Sequence, residues 1–300
     1  MTEFLQHVIN GLSLGSVFAL IALGYTMVFG ILQLINFAHG DVFMIGAFVG
    51  MYTAVKFKLA DEPSFMNLLI VMAVSMVACA AVGYVIERFA YRRLRKSPRI
   101  NVLITAVGVS LFLEFGGQLV FGSDPKFFPQ VYQPQGDWNI GEVQINPLHV
   151  IVFGISIALM AILQYIIYYT RLGRAMRAVS FNHDLASLMG IPTDRVISYT
   201  FMLGSALAGA AGVLFGLIYP KIEPLMGVQP GLKAFIAAIF GGVGNVMGAV
   251  VGALSLGLAE TMVVGYVAST YRDALAFTVL ILVLLIKPTG LFGIRRSEKV

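Results

Sequence analysis

The sequence predicts an all-α polytopic membrane protein of about eight transmembrane helices plus a re-entrant half-helix. Three observations carry that expectation. The 300 residues are 58% hydrophobic and only 12% charged, whereas a soluble domain carries about twice that share of charge. The apolar residues fall into blocks, most of which reach the roughly 20 residues that a helix needs to cross a bilayer. None of the blocks alternates with the period of two that marks the strands of a transmembrane barrel.

In chain order the uncharged stretches cover residues 8–30, 42–55, 64–86, 100–122, 147–170, 196–219, 234–259 and 274–286. Before the first block stand Glu3 and His7 and no basic residue, so no cleavable leader is expected and the first helix stays. The block at 42–55 is short for a full span and is expected to begin nearer Asn36. The block at 274–286 is short too, and is expected to reach back past Arg272 with that guanidinium snorkelling. Gly241-Gly242-Val243-Gly244-Asn245 interrupts 234–259, which reads as a half-helix, a turn and a full helix. The lone cysteine, Cys79, lies inside an apolar block, where a small buried hydrophobe is expected rather than a reactive thiol. Residues 1–300 read as one transmembrane domain.

Orientation follows from where lysine and arginine collect. Segment 87–99 holds Arg88, Arg92, Arg93, Arg95, Lys96 and Arg99 against Glu87; segment 171–195 holds Arg171, Arg174, Arg177 and Arg195; the tail holds Lys287, Arg295, Arg296 and Lys299. These 14 of the 20 basic residues place the three segments in the cytoplasm and, if the broken segment crosses and returns, the N-terminus outside. They also account for the net charge of +5 without nucleic acid. Loop 123–146 then faces outside. It sets Lys126 against Asp124, Asp137 and Glu142, and carries Pro125, Pro129 and Pro134 among Phe127, Phe128, Tyr132 and Trp138. It reads as a structured lid at the headgroups or as a docking surface for a soluble partner.

Several chemistries are absent. There is no Gly-Lys pair and hence no phosphate-binding loop for nucleotide. No cysteine–histidine cluster or His-Glu-x-x-His motif exists to hold a metal. Gly11-Leu12-Ser13-Leu14-Gly15 matches a hydrolase elbow in letters only, because it lies within an apolar helix. His7, His39, His149 and His183 are scattered without triad partners. No catalytic residue, metal or cofactor is expected.

Polar groups inside lipid are costly, so each is a functional candidate. Asn36, His39, Gly40 and Asp41 interrupt an apolar run and are expected either to cap the following helix or to line a substrate pathway; the two roles are compatible. Gly242, Gly244 and Asn245 form a second interruption of similar pattern. Each precedes a small-residue helix, Met44-Ile45-Gly46-Ala47 in one case and Met247-Gly248-Ala249-Val250 in the other. Paired broken helices point to a transporter's binding region, and the similarity suggests an internal pseudo-repeat of two related halves. Glycines four residues apart, such as Gly11/Gly15, Gly46/Gly50, Gly212/Gly216 and Gly244/Gly248/Gly252, read as close helix packing, or on some faces as contact with a second membrane subunit. Glu114 and Glu260 are isolated carboxylates in or beside apolar blocks, and Lys233 and His149 are expected at an interface. An ion-coupled transporter or channel using Glu114, Glu260 or Asp41 is the alternative from another class.

Segment 171–195 is neither a span nor a plain linker. Asn182 or Asp184 can cap a short helix on which Leu185, Leu188 and Met189 form one apolar stripe. Gly190 stops it and Pro192 prevents its continuation. No lysine or arginine lies between 181 and 191, so docking on a protein is favoured over lying on a membrane. Such a handle suits a chain driven by a separate ATPase.

Four stretches carry a resemblance over essentially the whole chain. They are Leu34-Ile-Asn-Phe-Ala-His-Gly-Asp-Val-Phe-Met-Ile-Gly-Ala-Phe48, Arg171-Leu-Gly-Arg-Ala-Met-Arg-Ala178, the 241–248 break and Lys287-Pro-Thr-Gly-Leu-Phe-Gly293. Together they resemble the branched-chain amino-acid ABC importer permeases, LivH type. The resemblance implies a bacterial inner-membrane subunit paired with a LivM-type permease, two cytoplasmic ATPases and a periplasmic amino-acid-binding protein. It further implies that residues around 181–191, with Arg171 and Arg174 just before, meet an ATPase.

Overall fold

The computed structural model describes residues 2–293 except 96, 135, 137, 141 and 142. The expectations for Lys96, Asp137, Glu142, Arg295, Arg296 and Lys299 therefore lie outside the described residues. The first helix, α1 (Thr2–Leu32), is the axis of the bundle and is buried from residue 13 to 28. At 31 residues it is about 46 Å long, well beyond the hydrocarbon thickness. Then come α2 (His39–Lys56), α3 (Phe65–Ile86) and α4 (Arg99–Phe121). Strands β1 (Lys126–Phe127), β2 (Trp138–Ile140) and β3 (Val143–Ile145) occupy the long loop. Helices α5 (Pro147–Tyr169), α6 (Arg171–Phe181), α7 (His183–Leu188) and α8 (Thr193–Ile218) follow, then β4 (Lys221–Ile222), α9 (Val228–Gly241), α10 (Val246–Tyr266) and α11 (Arg272–Ile286).

Among the described residues seven helices are long and apolar enough to cross a membrane, including the last span, Ser269–Ile286, which does reach back past Arg272. Helices α2 and α9 stand apart from that set. Side-chain caps start several helices. Ser64 Oγ accepts from Asn67 N–H at 3.2 Å for α3, and Asn146 Oδ1 accepts from Leu148 N–H at 2.9 Å for α5. Cys79 is fully buried and packs α3 against α2, its thiol 3.4 Å from the Val42 carbonyl.

Glycines set how closely the helices approach. A Cβ at Gly11 or Gly15 of α1 would lie 2.9 Å from the Cα of Leu258 or Leu254, so α1 and α10 run antiparallel with backbones in contact. A Cβ at Gly204 of α8 would lie 3.2 Å from Gly24 Cα of α1, and one at Gly46 of α2 would lie 2.6 Å from Gly209 Cα of α8. Ser75 of α3 pins this crossing by donating to the Gly46 carbonyl (2.8 Å) and the Gly209 carbonyl (3.1 Å).

These contacts fix an arrangement that no single segment displays. His39, which opens α2, lies against Gly24, whereas α1 continues to Leu32. Eight further residues of helix span about 12 Å, so residues 33–38 climb back into the bundle. At the opposite end α8 runs to Ile218, and Lys221–Ile222 pairs with Lys126–Phe127 of the long loop. The chain then returns inward, and Gly227 and Gly231 of the α9 start press on Gly40. Helices α2 and α9 thus begin head to head inside the protein and leave toward opposite ends. The motif before the first return, Phe29-Gly30-Ile31-Leu32, is echoed before the second by Phe215-Gly216-Leu217-Ile218. In space the first interruption meets the return at 219–227, while 241–245 is the turn at the far end of α9.

The long loop is a fastened lid over the α2 and α8 ends. Phe128 and Val131 are buried, and a Cβ at Gly216 would lie 2.8 Å from the Phe128 ring. Phe127 and Trp138 stay exposed. A Gly46→Val substitution is expected to destabilise the protein by about 2 kcal/mol through overpacking at the α2–α8 crossing. Gly108→Ala, at a site open on all sides, is expected to change nothing. Thermal unfolding in detergent, followed by size-exclusion fluorescence, measures both.

Candidate functional site

The helix α1 is ended by Gln33, a non-glycine residue at φ +54°. Asn36 is buried, and its Oδ1 accepts a 2.9 Å hydrogen bond from the Tyr91 hydroxyl. Its carbonyl accepts from His39 N–H at 3.1 Å, which closes the turn into α2. The residue preceding α2 is Ala38, and no side chain caps this helix. Asn36 and Asp41 are both committed elsewhere, so capping does not account for them. The His39 ring is buried edge-on to Tyr25, centroids 4.9 Å apart. Gly40 supplies the flat surface on which Gly227 and Gly231 rest.

Asp41 occupies the first turn of α2 and borders a cavity of about 120 Å³ shared with Tyr25, Phe37, Ser110, Glu114 and Phe235. Its Oδ2 accepts from the Ser110 hydroxyl at 2.5 Å, and Glu114 Oε1 lies 3.5 Å from the Ser110 Oγ. The N-terminal turns of α2 and α9 both open on this space, through Gly40 and through Gly227, Val228 and Gly231. Unpaired N–H groups and the converging positive ends of two helix dipoles give it positive potential, which Asp41 and Glu114 offset. The cavity therefore offers both signs of charge beside apolar rings, the surroundings that suit a zwitterion with an apolar side chain. Tyr25, Ser110, Gly227 and Gly231 escaped the sequence reading. The one signal for the glycines was a Phe-Gly pair followed by two branched aliphatic residues, at 29–32 and 215–218, ahead of Gly40 and Gly227.

Gly242, Gly244 and Asn245 lie elsewhere. Gly242 and Gly244 have φ of +111° and +90°, and Asn245 Oδ1 caps α10 by accepting from Gly248 N–H at 3.1 Å. Segment 287–293 is folded onto this turn. Leu291 N–H donates to the Phe240 carbonyl (2.8 Å), Phe292 N–H to the Gly241 carbonyl (2.9 Å) and Asn245 Nδ2 to the Phe292 carbonyl (3.1 Å). Gly244 faces Gly30 and helps to line a smaller cavity of about 80 Å³ with Met27, Arg177, Ser180 and Thr200. The predicted pathway residues thus occupy two places, the second of them beside α6.

The handle consists of two short helices. Thr170 caps α6 by accepting from Gly173 N–H at 3.1 Å. Gly173, Met176 and Val179 face inward while Arg171 and Arg174 are exposed. Ser180 donates to the Gly30 carbonyl at 2.6 Å, tying α6 to the end of α1. Of the two candidate caps for α7, Asn182 is the one used, through Leu185 N–H at 2.9 Å, and Asp184 projects into solvent. Gly190 adopts φ +78°, and Ile191 N–H returns to the Ala186 carbonyl at 3.1 Å, a left-handed stop. Ala186 alone of α7 is buried. Leu185, Leu188 and Met189 are 54%, 82% and 83% exposed, an apolar stripe left uncovered by the described residues.

Glu260 and Lys233 are not isolated. Lys233 Nζ reaches Glu260 Oε1 at 2.8 Å and Asp273 Oδ1 at 2.9 Å, and Arg272 Nε approaches Glu260 Oε1 at 2.5 Å. Lys233, placed by sequence at an interface, is instead buried, and Arg272 pairs where snorkelling was expected. This neutral cluster joins α9, α10 and α11.

These features define a polytopic α-helical membrane protein with an interior cavity between two half-helices, the way transport subunits hold small solutes. A family profile described as the permease component of branched-chain amino acid transport systems matches residues 7–284. The chain is 42% identical over 303 aligned residues to the high-affinity branched-chain amino acid transport system permease protein LivH of Salmonella typhimurium, covering 99% of this chain and 98% of that one. LivH of Escherichia coli matches with the same identity and coverage. BraD of Pseudomonas aeruginosa is 40% identical over 302 residues, with 99% and 98% covered. The chain belongs to this family of branched-chain amino acid transport permeases.

Lys233→Met leaves Glu260 with only the half-exposed Arg272, and is expected to cost about 3 kcal/mol of stability. Adding Glu260→Leu is expected to recover most of that loss in the same detergent unfolding assay.

Proposed function

We propose that the chain is a single permease domain, residues 1–300, of an ATP-driven importer for branched-chain or related amino acids in the bacterial inner membrane. It works with a LivM-type second permease, two cytoplasmic ATPases and a periplasmic amino-acid-binding protein. ATP hydrolysis belongs to the partner chains. The observation that carries this reading is the uncovered stripe of Leu185, Leu188 and Met189 on a capped helix held between two spans. Exposed apolar side chains on a rigid handle seek a protein groove. The arginine-rich segments around the handle put it on the cytoplasmic side, where an ATPase can reach it.

Substrate passes the head-to-head half-helices, along Asn36, His39, Gly40 and Asp41. Asp41 faces the cavity, while Asn36 and His39 hold the turn that presents it. Gly242, Gly244 and Asn245 act at the cytoplasmic end of the route. Arg171, Arg174, Asn182, Asp184 and Gly190 shape and flank the coupling surface. The ion-coupled alternative loses one of its three carboxylates, because Glu260 is engaged by Lys233 and Arg272.

Replacing Leu188 and Asp184 together is expected to reduce uptake about tenfold or more, as loss of an interface anchor does. Membrane insertion stays intact and ATP hydrolysis by the assembled complex no longer drives transport. Normal uptake in that double variant rejects the coupling role. In proteoliposomes holding this chain alone, an ion gradient is expected to drive no leucine accumulation; accumulation there would establish the ion-coupled alternative.

A further inference from the structure

α3 does not end as an ordinary helix. It widens into a π turn over Glu87–Tyr91 and then tightens into a 3₁₀ turn over Arg92–Leu94. Glu87 is fully buried, although it lies in the most arginine-rich stretch of the chain. Arg92 reaches it through Nε (3.2 Å) and a terminal nitrogen (2.9 Å), and Arg95 pairs with its Oε1. Ser198 of α8 donates to its Oε2 at 2.7 Å and accepts from Arg92 at 2.6 Å. Arg95 also binds Asp194 at 2.5 Å, in the first turn of α8, five residues beyond the exposed Met189 that ends α7. One end of the π turn is therefore fastened beside the handle.

The other end of the same turn is fastened to the pathway. Tyr91 is buried against Phe201, centroids 5.4 Å apart, and its hydroxyl holds Asn36 at the hinge that leads into α2 and Asp41. A π turn carries one more residue per turn than an α-helix. Conversion to regular α-helix would rotate the residues beyond it by about 100°, which would take Tyr91 away from Asn36. Such turns are frequent at functional sites, and the π form seen here and a regular α form would be the two arrangements that a transmitting element needs.

We propose that the Glu87–Tyr91 turn transmits movement of the handle to the Asn36 hinge, with Glu87 and Tyr91 as positioning residues for transport. The inference rests on the ATPase-driven reading above.

The test uses the complete importer in proteoliposomes, measuring amino-acid uptake and ATP hydrolysis together, per assembled complex. Tyr91→Phe keeps the ring on Phe201 and removes one buried hydrogen bond. Uptake per ATP is expected to fall about fivefold while ATP hydrolysis per complex stays within twofold. Asn36→Ala is expected to lower uptake per ATP too, and the Tyr91→Phe/Asn36→Ala double variant to be no worse than the poorer single. Wild-type uptake per ATP in Tyr91→Phe, or additive losses in the double variant, overturns the proposal. A merely structural role would lower the amount of assembled complex and leave uptake per ATP unchanged, and that outcome overturns it as well. Failure of the wild-type complex to couple uptake to ATP would instead overturn the ATPase-driven reading, and this inference with it.

Discussion

Starting a helix inside a membrane protein leaves several backbone N–H groups without helical partners, and lipid offers none. Two such starts, those of α2 and α9, are brought to one point here. They fit because Gly40, Gly227 and Gly231 carry no side chains where the backbones meet. Much else follows from that meeting. The returns at 33–38 and 219–227 exist to reach it, the cavity exists because two helices stop there, and Asp41 and Glu114 are tolerable because two positive helix ends face them.

The packing that supports this point has little hydrophobic drive in lipid, where helices gain mainly from close contact and internal hydrogen bonds. Accordingly α1 meets α10 and α8 through glycine, α2 meets α8 through Gly46 and Gly209, and the Ser75 hydroxyl bridges that crossing. Away from the cavity, two groups of charges that enter the protein form neutral sets. Lys233 and Arg272 balance Glu260 and Asp273 near the start of α9, and Arg92 and Arg95 balance Glu87 and Asp194 beside the handle.

Much of this was legible in the chain. Long apolar blocks gave α3, α4, α5 and α8 within three residues and α1 from its seventh residue on, the glycine run gave the turn between α9 and α10, and Asn182 and Gly190 bounded α7. The start of α9 was not legible, because Pro230, Gly231 and Lys233 argue locally against helix. The Gly40 contact and the Glu260 pair, both distant in sequence, override them. α2 does begin ahead of its apolar block, at His39, but the bond that holds Asn36 outside the helix comes from Tyr91, 55 residues away, and leaves no local mark. The candidate site was half legible: Asn36, His39, Gly40 and Asp41 cost enough in lipid to be noticed, while Ser110 and Tyr25 look like ordinary helix residues. The meeting of Gly40 with Gly227 and Gly231, nearly 190 residues apart, leaves almost no local trace.

The strap at 287–293 bears on biosynthesis. The carbonyls of Phe240 and Gly241 at the end of α9 find their partners, among the described residues, in Leu291 and Phe292, roughly fifty residues later in translation order. A ribosome-bound chain that has delivered α9 and α10 still lacks the piece that locks this corner. Closing of the corner must therefore wait for residues 287–293 to emerge and swing back onto α9.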